Sequence, residues 1–338
     1  MNKADIKPAK DFYNILEVSP KARAEVIQAA YRTLMQIYHP DKNKADERVA
    51  RNLNEAKQTL LDSKKREEYD KNRLDLMGKD LGEYTVIEMI AEGGFGKTYK
   101  AKHNIIDELA CIKHAHYVSP QDEEILVQEA KTIWDLRHYS IPSMKGMLKL
   151  EDGSLALIMS YIPGPTLEQI IKKNKKLDPE HVAWITERSL NALKYLHYNG
   201  VVHGDVKPQN IIVQPENHMI VLVDYGLSII RPSSSSKSPG YTPLFAPPEQ
   251  IAGKTLLPES DFYSLGMTMI YALGGDIEKR LVPENTPSSL CSFIKKMIVY
   301  DILKRPNWDK EDLAEELQDI RMKEFGRKSS GMKPIPGI

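Results

Sequence analysis

Apolar residues recur at helical spacing near the amino terminus. Ile27, Tyr31, Leu34 and Tyr38 fall on one face of a helix, and Leu53, Ala56 and Leu60 repeat the stripe on a second segment. Two such stripes separated by a polar stretch predict a helical hairpin with its loop at His39, Pro40 and Asp41. From about Tyr84 the pattern changes to short apolar runs. Ile90 and Tyr99 flank a glycine cluster as the ends of two paired strands, and LACIKHA is apolar up to Lys113. Helical spacing returns at Ile125, Ile133 and Leu136, with Glu129 on the same segment. Farther on, Val201, Val202, Ile211, Ile212 and Val213 bracket a polar loop whose ends they bury. Trp134, Trp184 and Trp308 sit in helical apolar patterns and read as core or interface packing.

The bracketed loop, His-Gly-Asp-Val-Lys-Pro-Gln-Asn, holds the densest chemistry in the chain. Asp205 can accept a hydroxyl proton, Lys207 can neutralise charge on a transferring phosphoryl group, and Asn210 can hold a metal ion beside it. With IAEGGFGKTYKA, LACIKHA, VQEAKTIWDLRH and VLVDYGLS in order around it, the chain resembles the eukaryotic-like serine/threonine protein kinases. The resemblance implies a bilobal α+β catalytic domain over residues 84–325 that uses ATP and Mg²⁺ on a protein substrate. It implies that Ile90, Ala91, Gly93, Gly94, Gly96 and Thr98 cover the nucleotide, and that Lys113 grips its phosphates while paired with Glu129. Met159 then guards the back of the adenine pocket, Ser160 to Ile162 form the hinge, and Asn210 and Asp224 hold the metal. Glu249 in APPEQ, Asp261 in SDFYSLG and Arg305 in KRPNW are implied supports, Glu249 and Arg305 as a buried pair.

Departures from the family pattern carry their own expectations. Ala91 stands for the first glycine of the phosphate loop and needs only an ordinary backbone. Gly204 stands where many relatives carry an arginine that docks a phosphorylated activation loop, so switching by loop phosphate is expected to be weak or absent. Tyr225 replaces the usual Phe after Asp224 and brings a hydroxyl that needs a partner. A His-Gly-Asp is also common among small-molecule phosphotransferases, but Lys207 followed by Pro208 looks like the serine/threonine protein kinases. A pseudokinase and a co-chaperone adaptor are further alternatives, and the intact Lys113, Glu129, Asp205, Asn210 and Asp224 weigh against the first.

The amino-terminal hairpin, with DFYNILEV before it and LNEAKQTLLDSKKREEYD after it, resembles the J-domain of DnaJ-type co-chaperones over residues 10–72. The resemblance implies that His39, Pro40 and Asp41 engage a DnaK-type chaperone. Gln28, Ala29, Thr33 and Ile37 stand where that family often carries basic residues, with Arg32 remaining, so engagement is expected to be slower or more selective.

Residues 73–83 read as a short linker that permits contact between the units without dictating it. Residues 326–338 read as a disordered tail, and the run Ser233 to Ser236, in the activation segment, either as candidate autophosphorylation sites or as a solvated flexible loop. Basic and acidic residues balance at 47 each, which gives no sign of a nucleic-acid or membrane surface. Cys111 and Cys291 are far apart, with no CxxC, so a reducing compartment is expected. No run approaches the roughly 18 apolar residues of a membrane span, and a cytoplasmic protein is expected. His103, His114, His116 and His138 lack the partners of a metal site and read as strand-edge or surface residues.

Overall fold

The computed structural model describes residues 12–19, 22–38, 47–73, 75–92, 96–115, 120–150, 153–328 and 331–336. His39, Pro40, Asp41, Gly93, Gly94 and His116 lie outside them.

The amino-terminal unit is helical: α1 (Phe12–Ile15), α2 (Ala24–Tyr38), α3 (Glu47–Leu60) and α4 (Ser63–Arg73). Ile27 and Leu34 of α2 meet Leu53, Ala56 and Leu60 of α3 over Tyr13 and Leu16, so the two stripes close on each other. Tyr31 stays at the edge, donating to Asn54 Oδ1 at 2.7 Å, and Tyr38 is exposed rather than in the stripe. α4 folds back on α1 through the Tyr69 ring stacked on Phe12 and through Arg66 Nε, which donates to the Tyr13 hydroxyl at 2.9 Å.

The connection to the next unit is more than a tether. Leu76 is buried in the apolar outer layer of the following sheet with Val86, Tyr99, Ala101, Ile112 and Ile158. Its N–H donates to the Tyr99 hydroxyl at 3.3 Å, and that hydroxyl donates to Asp75 Oδ1 at 3.1 Å. Burial raises the Tyr99 pKa and keeps the hydroxyl protonated for this task.

The sheet contains β1 (Asp80–Leu81), β2 (Tyr84–Glu92), β3 (Gly96–His103), β4 (Leu109–Ala115), β5 (Met144–Lys149) and β6 (Leu155–Ser160), antiparallel in the order β1-β2-β3-β4-β6-β5. The helix α5 (Pro120–Ile133) enters between β4 and β5. Register sorts the side chains by face. One row across the sheet is Ala91, Thr98, Lys113 and Leu157; its neighbour, Tyr99, Ile112 and Ile158, points the other way into the layer that holds Leu76.

The larger unit is mainly helical, with α6 (Leu167–Asn174), α7 (Pro179–Tyr198), β7 (Val201–Val202), a 3₁₀ turn (Pro208–Asn210), β8 (Ile211–Gln214), β9 (Met219–Leu222) and β10 (Ile229–Ile230), then α8 (Pro248–Ile251), α9 (Pro258–Ala272), α10 (Ser288–Met297) and α11 (Leu313–Phe325). The ladders β8–β9 and β7–β10 bracket the polar loop. Trp184, Phe262, Met267, Ile270, Phe293 and Leu317 form the core beneath it. This is an α+β architecture, a small strand-rich lobe followed by a helical one.

Three expectations are corrected. Residues 331–336, read as part of a disordered tail, lie against the helical lobe: Ile335 is buried, and Lys333 offers its carbonyl to His181 Nε2 at 3.1 Å and its N–H to Glu180 Oε1 at 3.1 Å. Trp134 is exposed just beyond the end of α5. His114 is buried rather than at the surface, with Nε2 at 2.9 Å from Ser154 Oγ. No helix among the described residues is long and apolar enough to cross a membrane.

Candidate active site

Lys113 reaches the cleft because β4 alternates and its odd positions face α5. Its Nζ lies 2.6 Å from Glu129 Oε2 and 2.6 Å from Asp224 Oδ1, so one ammonium joins the sheet, α5 and the loop after β9. Glu129 is buried one turn before Ile133 on the packed face of α5, and its other oxygen accepts the N–H of Tyr225 at 3.2 Å. Burial alone would push Lys113 toward its neutral form, but the two carboxylates outweigh it and hold its pKa above the ordinary lysine value. For Asp224, burial raises the pKa, while Lys113 and then Lys207 overcome it and bring it down to about 2. Asp224 also adopts a left-handed backbone, φ 67°, which aims its carboxylate back at Lys113. The Tyr225 ring sits 4.9 Å from His203, and its hydroxyl finds its partner in the Leu222 carbonyl at 3.1 Å.

The loop after β7 is fixed from below. Asp261, buried on α9, accepts the N–H of His203 at 2.8 Å on one oxygen and that of Gly204 at 2.8 Å on the other. Asp205 Oδ2 stands 2.7 Å from Lys207 Nζ, and Asn210 Nδ2 donates to both the carbonyl and Oδ2 of Asp205 at 2.9 and 3.0 Å. A residue absent from the sequence argument completes the group. The Thr242 hydroxyl donates to Asp205 Oδ1 at 2.6 Å and accepts from Lys207 Nζ at 2.8 Å. A lone Thr in GYTPLF carries no spacing that would single it out. Burial holds the His203 imidazole in its neutral form, with Nδ1 free to accept the Asp205 N–H at 3.3 Å.

Around this centre, Thr98 lies opposite Lys113 and Ala91 opposite Thr98, while Ile90 is exposed at the far end of β2. Ala91 is not among the described residues with left-handed backbone. Gly96 has a reason of its own, because a Cβ there would stand 2.2 Å from the His114 carbonyl oxygen. Met159 is buried opposite Cys111 at the end of β6. Ser160 gives its N–H to the Ser143 carbonyl at 2.8 Å, which ties the end of β6 to the segment before β5. Below the cleft, Arg305 forks onto Glu249 at 2.7 and 2.9 Å, and its remaining donors meet the carbonyls of Val299, Glu259 and Tyr300. Every group of that buried pair is satisfied, so loss of either partner strands a charge at roughly 3–5 kcal/mol.

The geometry can therefore hold an anionic ligand against Lys113 while Asp205 faces a hydroxyl. Comparison with known proteins agrees. The sequence profile of the protein kinase domain matches residues 84–279, and that of the DnaJ domain matches residues 11–70. Similar proteins include the serine/threonine-protein kinase pkn3 of Myxococcus xanthus, 31% identical over 215 residues, 60% of this chain and 39% of that protein. The serine/threonine-protein kinase PrkC of Bacillus subtilis is 30% identical over 211 residues, 60% of this chain and 32% of the relative. The chain thus spans well under half the length of these relatives.

Proposed function

The chain belongs to the protein kinase family, with a DnaJ domain ahead of the catalytic one, and we propose that it transfers the γ-phosphate of ATP to serine and threonine hydroxyls of protein substrates. The observation that carries this reading is the Lys113 ammonium held at 2.6 Å from both Glu129 and Asp224, the arrangement in which it can receive nucleotide phosphates. ATP lies under Ile90, Ala91, Gly93, Gly94, Gly96 and Thr98, with its base between Met159 and the Ser160 to Ile162 hinge. Asp205 orients the acceptor hydroxyl and takes its proton; Lys207, beside it, offsets charge on the group in transfer.

The donors suit Mg²⁺, a hard cation that prefers oxygen. Asn210 uses its amide nitrogen on Asp205, which leaves its carbonyl oxygen, and Asp224 engages Lys113 through one carboxylate oxygen, which leaves the other. When bound, the ion supplies neutralisation of phosphate charge. A protein acceptor is supported by the match to the protein kinase domain, and the Thr242 hydroxyl bridging Lys207 and Asp205 orders the base for it.

The DnaJ domain supports a chaperone partner of the DnaK type, reached through His39, Pro40 and Asp41. Labelled transfer followed by phosphoamino acid analysis tests the first half: label on phosphoserine and phosphothreonine is expected. Label on phosphotyrosine alone, or none at all with ATP bound, would contradict it. The second half is read by stimulation of a DnaK-type ATPase, expected for the whole chain and lost in His39→Gln; equal stimulation by the variant would sink it.

A further inference from the structure

We propose that Gln250 is a positioning residue for transfer, its side-chain amide clamping the segment that carries Thr242 onto the catalytic loop; the proposal rests on the kinase function above. Gln250 follows Glu249 on α8 and is 5% exposed. Its Nε2 lies 2.9 Å from the Gly204 carbonyl, 3.0 Å from the Gly240 carbonyl and 3.1 Å from Ser238 Oγ. Two hydrogens are thus shared among three oxygens from two separate segments.

The two ends of the clamp are fixed independently. Gly204 has φ +73°, and a Cβ there would stand 2.6 Å from the Leu227 carbonyl oxygen, so no side chain can be carried without strain. Its N–H is held by Asp261 Oδ1, and Gln250 holds its carbonyl, which fixes the peptide leading into Asp205. At the other end, Gly240 is two residues before Thr242, whose hydroxyl meets Asp205 Oδ1. The contacts close a ring from Asp205 through Gly204, Gln250, Gly240 and Thr242 back to Asp205. Without the amide, the buried Gly204 carbonyl loses a donor and the segment loses its register over the base.

The test uses the full chain and two variants. Gln250→Glu keeps the shape but faces three oxygens with a carboxylate, whereas Gln250→Met keeps the volume and removes the donor. At neutral pH both are expected to lose about tenfold to a hundredfold in kcat, with the KM for ATP within about twofold of the parent. The Gln250→Glu deficit shrinks as the pH is lowered, because the protonated acid regains a donor, while the Gln250→Met deficit does not. An unchanged kcat in both variants would overturn the proposal, as would deficits of equal size at every pH. Hydrogen exchange across residues 238–246 reads the clamp without any transfer. Faster exchange in Gln250→Met is expected, and unchanged exchange would overturn the clamp. If the parent transfers no phosphate but exchange quickens in the variant, the kinase reading falls and the clamp stands.

Discussion

The upper and lower halves of the cleft are held together by different physics. Above, one ammonium is shared by two carboxylates, Glu129 and Asp224, that come from different lobes. Below, Asp205 meets Lys207, but its position is set mostly by neutral groups: the amide of Asn210, the hydroxyl of Thr242, and a backbone pinned by Asp261. A charge cluster is strong where it is dry, and it depends on pH and on the lobes staying close. A hydrogen-bonded loop carried by one lobe depends less on the lobes staying close and costs most when one buried partner is left unmade. Ligand grip and base geometry are thereby separable.

Apart from removal of the base itself, the largest expected break is Lys113→Met, which leaves Glu129 and Asp224 facing each other without their cation. Transfer falls by roughly a hundredfold to a thousandfold, checked by initial rates with labelled ATP. Next is Leu76→Ala, which cuts into the outer layer of the sheet without touching either half of the cleft. It costs about 2 kcal/mol or somewhat more, measured by urea unfolding of the whole chain, and it separates stability from chemistry. Thr242→Val follows, with a loss of about tenfold in kcat and little change in the KM for ATP, because only the lower half is disturbed.

The mildest probe is pH; burial shifts the Glu129 carboxyl upward, so the acid-side loss is read at Asp224. The folded pKa is depressed from 3.8 to about 2, so the stability this carboxylate contributes is complete above about pH 4 and drains away between about pH 4 and 2. Lys113, raised above its ordinary value, contributes throughout that window and loses its share only under strongly alkaline conditions. Acid titration followed by thermal melting is expected to show a steeper fall in the parent than in Asp224→Asn.

Much of this was legible because motif chemistry is local. Lys113, Glu129, Asp205, Asn210 and Asp224 each sit in a run that resembles a motif of the family, and the stripe of Ile27 and Leu34 predicted the helix packing of the amino-terminal unit. What escaped was set by tertiary contact. Thr242 and Gln250 matter only because the chain returns over the catalytic loop, and nothing in GYTPLF shows that. Gln250 did leave a trace, adjoining Glu249, a residue already tied to Arg305 by its motif. Leu76 and Ile335 lie in short Gly- or Pro-containing segments too brief to show a helical or strand period, yet both are buried. For Gly204, the resemblance pointed to a missing arginine, and the backbone adds that a left-handed turn against Leu227 leaves no room for a side chain.

The most direct test of the central claim, that residues scattered from Lys113 to Asp224 converge on one transferring phosphate, is the initial rate of transfer from γ-labelled ATP to a generic protein substrate by the whole chain and by Asp205→Asn. A loss of roughly a hundredfold to ten-thousandfold with ATP binding retained is the predicted result. Equal rates from the two proteins would contradict it.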